Sequence, residues 1–205
     1  DFFKYTGCRG TLISTKDFML GGDNISFLAK TGKVTFLSAN IFKDNDPLFI
    51  PYDIIESGGL RIAIIGMSSS RVVVGTAERD FYKMKLLENR IALKRVMGEL
   101  ETKNVDATIL LSGLRYAELF DILREFPQIG FVISGGDNRG DLLGGLMKRM
   151  ELDDSRTVIF LPAIMSAYNL SLKISDKVSV KDIRQLGNVP RDPADSEYDQ
   201  FMERL

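Results

Sequence analysis

The chain has 205 residues, 44% of them hydrophobic and 27% charged, which is enough apolar surface to bury a sizeable core. Its 27 Lys and Arg balance 28 Asp and Glu, so the net charge is −1 and there is no basic footprint for nucleic acid. No apolar run approaches the roughly 20 residues that span a bilayer, and the one cysteine, Cys8, excludes an internal disulfide.

In chain order, Val34–Ala39, Leu60–Met67, Ala107–Leu111, Ile129–Ser134 and Thr157–Leu161 are expected to be buried strands. Each is short, rich in Val, Ile, Leu or Phe, and bounded by Gly, Asn, Asp or Ser. Asn169–Ile174 alternates apolar and polar residues, which predicts a half-exposed strand, antiparallel and near an edge. Phe81–Lys103 is expected to be helical, with Leu86, Leu87, Ile91, Met97 and Leu100 inward and Glu88, Arg90, Lys94, Arg95 and Glu99 outward. A second helix is expected over Tyr116–Phe126, with Leu119, Phe120 and Leu123 on one side and Pro127 stopping it. Strands alternating with helices imply a largely parallel sheet.

The domain is expected to run over residues 1–188. Residues 189–205 are expected to form a polar, proline-bearing linker and the start of a helix, leading towards a further domain. The opening Asp1, with no signal peptide, is expected to mark a processed or trimmed piece of something longer.

In open α/β sheets, sites form at the carboxyl ends of the strands. Those ends read Asn40, then Ser68-Ser69-Ser70-Arg71, then Ser112-Gly113-Leu114-Arg115, then Gly135-Gly136-Asp137-Asn138-Arg139-Gly140. A serine nucleophile at Ser68–Ser70 would need a nearby base, and no spacing picks one out. Asp44, Asn45 and Asp46 lack EF-hand spacing and are expected to form a solvated turn rather than a calcium site. Arg139-Gly140-Asp141 spells an adhesion tripeptide, a motif too short to carry weight, and the Gly-rich 135–145 stretch is expected to be the turn after a strand.

Leu37-Ser38-Ala39-Asn40 resembles the LSAN strand end of 5′-nucleotidase-type metallophosphoesterases, which have the calcineurin-like fold. Pro47-Leu48-Phe49-Ile50-Pro51-Tyr52, followed by Gly59–Gly66, is similar to the same family's P-x-F-x-P-Y…G-x-K-I-x-I-I-G stretch. Ala107–Leu114 is similar to its strand ending in L-S-H-L, and Ile129–Arg139 to its strand ending in G-G-H-x-H. Counted back from LSAN without a gap, Ser14–Gly21 falls on its G-N-H-E-F-D-Y-G. The resemblance implies an α/β fold, part of a four-layer α/β/β/α sandwich. By resemblance alone it also implies a periplasmic or extracellular location.

In that family two metal ions activate a bridging water and clamp the phosphate oxygens. This chain contains no histidine at all. The family's Asn and His of G-N-H-E fall on Thr15 and Lys16, the His of L-S-H on Gly113, and the two of G-H-x-H on Asp137 and Arg139. The family's D-x-H and G-D strands would precede Asp1, so another protein segment or chain is expected to complete the sheet. No metal ligand or catalytic residue is therefore assigned, and no cofactor is expected.

Lys16 and Arg139 bring fixed positive charge to positions where the family holds cations. Lys16, Asp17, Asn40, Asp137 and Arg139 are the candidate residual site, with Lys16 or Arg139 expected to pair with Asp17 or Asp137. Anion binding by the same charges is the competing reading. The alternative function is a remodelled hydrolase whose Asp17, Asp23 or Asp137 carboxylates hold Mg or Mn.

Overall fold

A computed structural model describes residues 9–13, 17, 25, 27, 31, 35–69, 84–135, 148–161, 167–174 and 178–186. Their strands in chain order are β1 (Gly10–Leu12), β2 (Thr35–Leu37), β3 (Ile41–Lys43), β4 (Asp46–Pro47), β5 (Tyr52–Ser57), β6 (Leu60–Met67) and β7 (Met84–Leu86). Then follow helix α1 (Asn89–Glu101), β8 (Ala107–Ser112), helix α2 (Tyr116–Glu125), β9 (Phe131–Ser134), β10 (Lys148–Glu151), β11 (Thr157–Phe160), β12 (Ala167–Ile174) and β13 (Val178–Leu186).

The centre is a six-stranded sheet ordered β10-β11-β9-β8-β6-β5. Its four inner strands are parallel, because α1 connects towards β8 and α2 connects β8 to β9. The two outer strands run antiparallel. β5 is joined to β6 by a tight turn at Gly58-Gly59, whose φ of 62° and 81° only glycine adopts cheaply.

Strand alternation divides the side chains of this sheet between two cores. Ala63, Ile65, Met67, Leu110, Val132, Val158 and Phe160 point to one face and pack on Leu93, Val96, Leu119 and Leu123 of the helices. Ile62, Ile109, Phe131 and Ile159 point to the other face and pack on Leu170, Leu172, Val178 and Val180. Those last residues belong to the β12–β13 hairpin, which is antiparallel with an irregularity between Ser171 and Leu172. Helix layer, sheet and second β layer are thus stacked in the order expected of part of an α/β/β/α sandwich. Each large apolar side chain buried on either face contributes about 1.5–3 kcal/mol relative to exposure.

Several expectations need correction. The helix predicted over Phe81–Lys103 is Asn89–Glu101, and Met84–Leu86 is instead a strand paired antiparallel with β3. Residues 81–83 lie outside the described residues. Its inner face is also rotated from the expected one. Ala92, Leu93, Val96 and Leu100 are buried, whereas Ile91 is 54% exposed. The predicted Val34–Ala39 strand is Thr35–Leu37, and it pairs in parallel with β1 rather than joining the six-stranded sheet. The β5–β6 hairpin was not expected, because Tyr52–Ser57 carries Asp53 and Glu56 and does not stand out as a buried run.

Strand β6 matches the expected span, and helix α2, β8, β9 and β11 match to within two residues at an end. Glu118 of α2 turns back to accept the N–H of Arg115 at 3.4 Å. The Asp44–Asp46 stretch turns the β3–β4 hairpin, with Asp44 at φ 57°. The expected boundary near residue 188 and the tail beyond it lie outside the described residues. Among the described residues, no helix is long and apolar enough to cross a membrane.

Candidate functional site

The carboxyl end of β6 meets the segment that follows β2. A Cβ on Gly66 would lie 2.6 Å from the carbonyl oxygen of Leu37, so only glycine lets the two backbones approach. The Ala39 N–H then donates to the Gly66 carbonyl at 2.8 Å. That approach delivers Ser38, Asn40 and Ser68, all fully buried, to one point.

There the Asn40 side chain is engaged on every side. Its amide nitrogen donates to the Ser68 carbonyl at 2.8 Å and to Asn89 Oδ1 at 2.9 Å. Its oxygen accepts the Ser68 N–H at 3.0 Å and lies 3.1 Å from the Ser38 hydroxyl. The Ser68 hydroxyl donates to the Ile13 carbonyl and sits 2.9 Å from Ser38 Oγ. One asparagine therefore joins the ends of β2 and β6 to the first residue of α1, and Ser68 adds the end of β1. Buried polar groups must be paired to be tolerated, and here each is.

Gly113, at the carboxyl end of β8, donates its N–H to the Met67 carbonyl at 2.8 Å. It offers no side chain, and a Cβ there would sit 3.2 Å from the Ser69 nitrogen. At the end of β9, Ser134 Oγ is buried without a hydrogen-bond partner among the described residues, beside Ser112, its neighbour in the sheet register. Ser112 Oγ accepts the Leu114 N–H at 3.1 Å.

Of the expected residual site, Asn40 and Asp17 are described, and Asp17 is half-buried. Thr15, Lys16, Asp137 and Arg139 lie outside the described residues, as do Asp23 and Ser70, so the expected ion pairs fall there too. Ser68 is sealed inside and its proton is directed at a backbone carbonyl, an arrangement unlike an activated nucleophile. Asn89 and Ser38 were missed as members of the cluster. Ser38 sits within the LSAN motif and could have been included, whereas Asn89, 49 residues from Asn40 in sequence, carries no local signal.

The two-metal chemistry of the resembled family has a structural requirement that the described residues can be tested against. Of the positions that carry metal ligands in the resembled family, Gly113 is the one described, and it has no side chain to coordinate with. Among the described residues, no three of His, Cys, Asp and Glu gather as a metal centre would need. Gly113 supplies no ligand to such a centre, and the other four family positions lie outside the described residues.

This mixed α/β architecture, with helices on one face of a large sheet, matches the fold of 5′-nucleotidases and calcineurin-like phosphoesterases. The 5′-nucleotidase precursor from Thermus thermophilus superposes with a TM-score of 0.67 at 19% identity, over 90% of this chain and 39% of that one. The sulfate thiohydrolase SoxB of the same organism gives a TM-score of 0.71 at 19% identity, over 89% of this chain and 33% of its own. The calcineurin-like phosphoesterase YfkN from Bacillus subtilis gives 0.63 at 14% identity, over 86% of this chain and 62% of that one.

The chain thus spans between a third and two-fifths of the length of the first two, and matches part of a 5′-nucleotidase-like domain. No protein-family model matches the chain, and no curated protein matches it by sequence. At these identities the likeness is one of fold.

Proposed function

We propose that this chain is a catalytically degenerate 5′-nucleotidase-like domain that has kept the fold for a structural or protein-interaction role. The observation that carries this reading is Gly113, which stands at the end of β8 in place of the family's L-S-H histidine and offers no side chain to a metal. The absence of histidine from all 205 residues supports it.

In this reading the domain works with a protein partner. A further protein segment or chain completes its sheet. No metal cofactor is needed. The location is periplasmic or extracellular, in keeping with a neighbour described as a 5′-nucleotidase precursor.

Metal content decides between this and a remodelled phosphoester hydrolase in which Asp17, Asp23 or Asp137 holds Mn or Mg. The purified intact protein is incubated with manganese, freed of excess ion and measured by elemental analysis. A level near zero is expected. Stoichiometric, tightly held manganese would overturn the degenerate reading and call for a phosphoester substrate screen.

A further inference from the structure

One edge of the six-stranded sheet is β10, which among the described residues has no strand beyond it. Its bonding phase is fixed at the β10–β11 turn. The Leu152 N–H donates to the Arg156 carbonyl at 2.9 Å, whereas the Thr157 N–H points the other way, to the Gly130 carbonyl at 3.2 Å. Antiparallel bonds alternate, so Met150 exchanges bonds with Val158, while the backbone groups of Arg149 and Glu151 are directed away from β11, across the outer edge.

The side chains alternate between the faces. Met150 is half-buried and packs against the helix-side core, while Arg149 and Glu151 share the opposite face, both exposed. Within the chain Arg149 Nε donates to Glu151 Oε1 at 2.6 Å, and the Thr157 hydroxyl to Glu151 Oε2 at 2.5 Å. A guanidinium has about five donors and a carboxylate about four acceptor positions, so each side chain has capacity for a further partner. Charged side chains on an edge strand ordinarily deter a second strand. Here the two charges are unlike and lie two residues apart, which favours one particular second strand.

We propose that β10 pairs antiparallel with β10 of a second copy of this chain, about a two-fold axis at Met150. Such an axis stands perpendicular to the sheet, and each contact occurs twice. It sets Arg149 opposite Glu151 of the second copy. Their outward backbone groups then exchange bonds, and their side chains meet as unlike charges. Met150 meets its own counterpart on the other face. Moving the axis to Arg149 or to Glu151 sets like charges opposite one another, so the register is specified. β5, the edge strand on the far side of the sheet, carries Asp53 and Glu56 and no basic residue, so it has no such self-complement. A strand of 4 residues makes a small interface, and the dimer is weak and concentration-dependent. The inference does not rest on the degenerate reading, since a hydrolase would pair by the same edge.

Sedimentation velocity of the full-length protein over a range of concentrations tests it. A monomer–dimer equilibrium is expected, weakening as salt rises. Arg149→Glu and Glu151→Arg each set like charges opposite one another, and each is expected to weaken self-association roughly tenfold. Mixed in equal amounts, the two variants are expected to regain most of the parent's affinity as a heterodimer, which also shows that neither has merely unfolded. A parent that stays monomeric at every concentration overturns the proposal. So do single variants that dimerise like the parent, or a mixture that associates no more tightly than either variant alone.

Discussion

The side-chain amide of Asn40 donates to the side-chain oxygen of Asn89 at 2.9 Å, tying a strand end to the first residue of α1 across 49 residues of sequence. The Asn40 carbonyl also accepts the Leu87 N–H at 2.9 Å, so the same residue fixes the approach to that helix.

Truncation at Asn40 is expected to be costly. Asn40→Ala leaves the buried Ser68 N–H and carbonyl without their side-chain partner, at about 1–3 kcal/mol for each buried group orphaned. Asn89→Ala removes only one acceptor from the cluster and is expected to cost about 1 kcal/mol. Urea denaturation of the two single variants and the double variant checks this. The double variant should lose less than the sum, since both substitutions delete the same bond.

Gly66→Ala places a methyl against the Leu37 backbone, which cannot rotate away as a side chain could. A loss of about 1–3 kcal/mol, in the range for overpacking or above it, is expected. Gly98→Ala in α1, where a Cβ meets nothing, should instead be neutral or stabilising by up to about 1 kcal/mol. Parallel thermal and urea melts of the two variants separate the effects.

The phase of α1 gives a second pair. Leu93 is fully buried against the sheet, and Leu93→Ala is expected to cost about 2–5 kcal/mol. Ile91→Ala, on the exposed face, is expected to change stability by less than about 0.5 kcal/mol. Equal losses in denaturant midpoints would contradict the burial pattern.

Acid dependence should appear at the β10–β11 turn. Asp153 is held well below the usual carboxylate range, first by its bond from Arg156 and then by the N–H and hydroxyl of Ser155. Arg156 also donates to the Leu123 carbonyl at 2.6 Å, so the pair pins this turn to α2. A carboxyl whose folded pKa is depressed stabilises above its unfolded value, near 3.8, and loses that contribution as pH falls. Asp153→Asn should therefore be less stable than the parent at neutral pH, and the gap should narrow below pH 3.8. Denaturation midpoints at several pH values report it, and the effect is small because the turn is exposed.

Much of the frame could be read from short apolar runs. Leu60–Met67 and Ala107–Ser112 are buried on both faces, so their hydrophobicity is nearly continuous and their strand assignment needs no partner to be named. Tyr116–Glu125 ends where Pro127 forces it to. β5 and β7 were hidden because edge strands mix charged and apolar residues, and Met84–Leu86 continues smoothly into the periodicity of α1.

The sequence by itself determined that the sheet is largely parallel and that no histidine stands at any strand end. These follow from residue type and short-range spacing, which are local properties. Only the tertiary structure decided that Asn40 is consumed by Ser68 and Asn89. A hydrogen bond is directional and acts over about 3 Å, so its partner is fixed by the three-dimensional meeting of chain ends and not by their order.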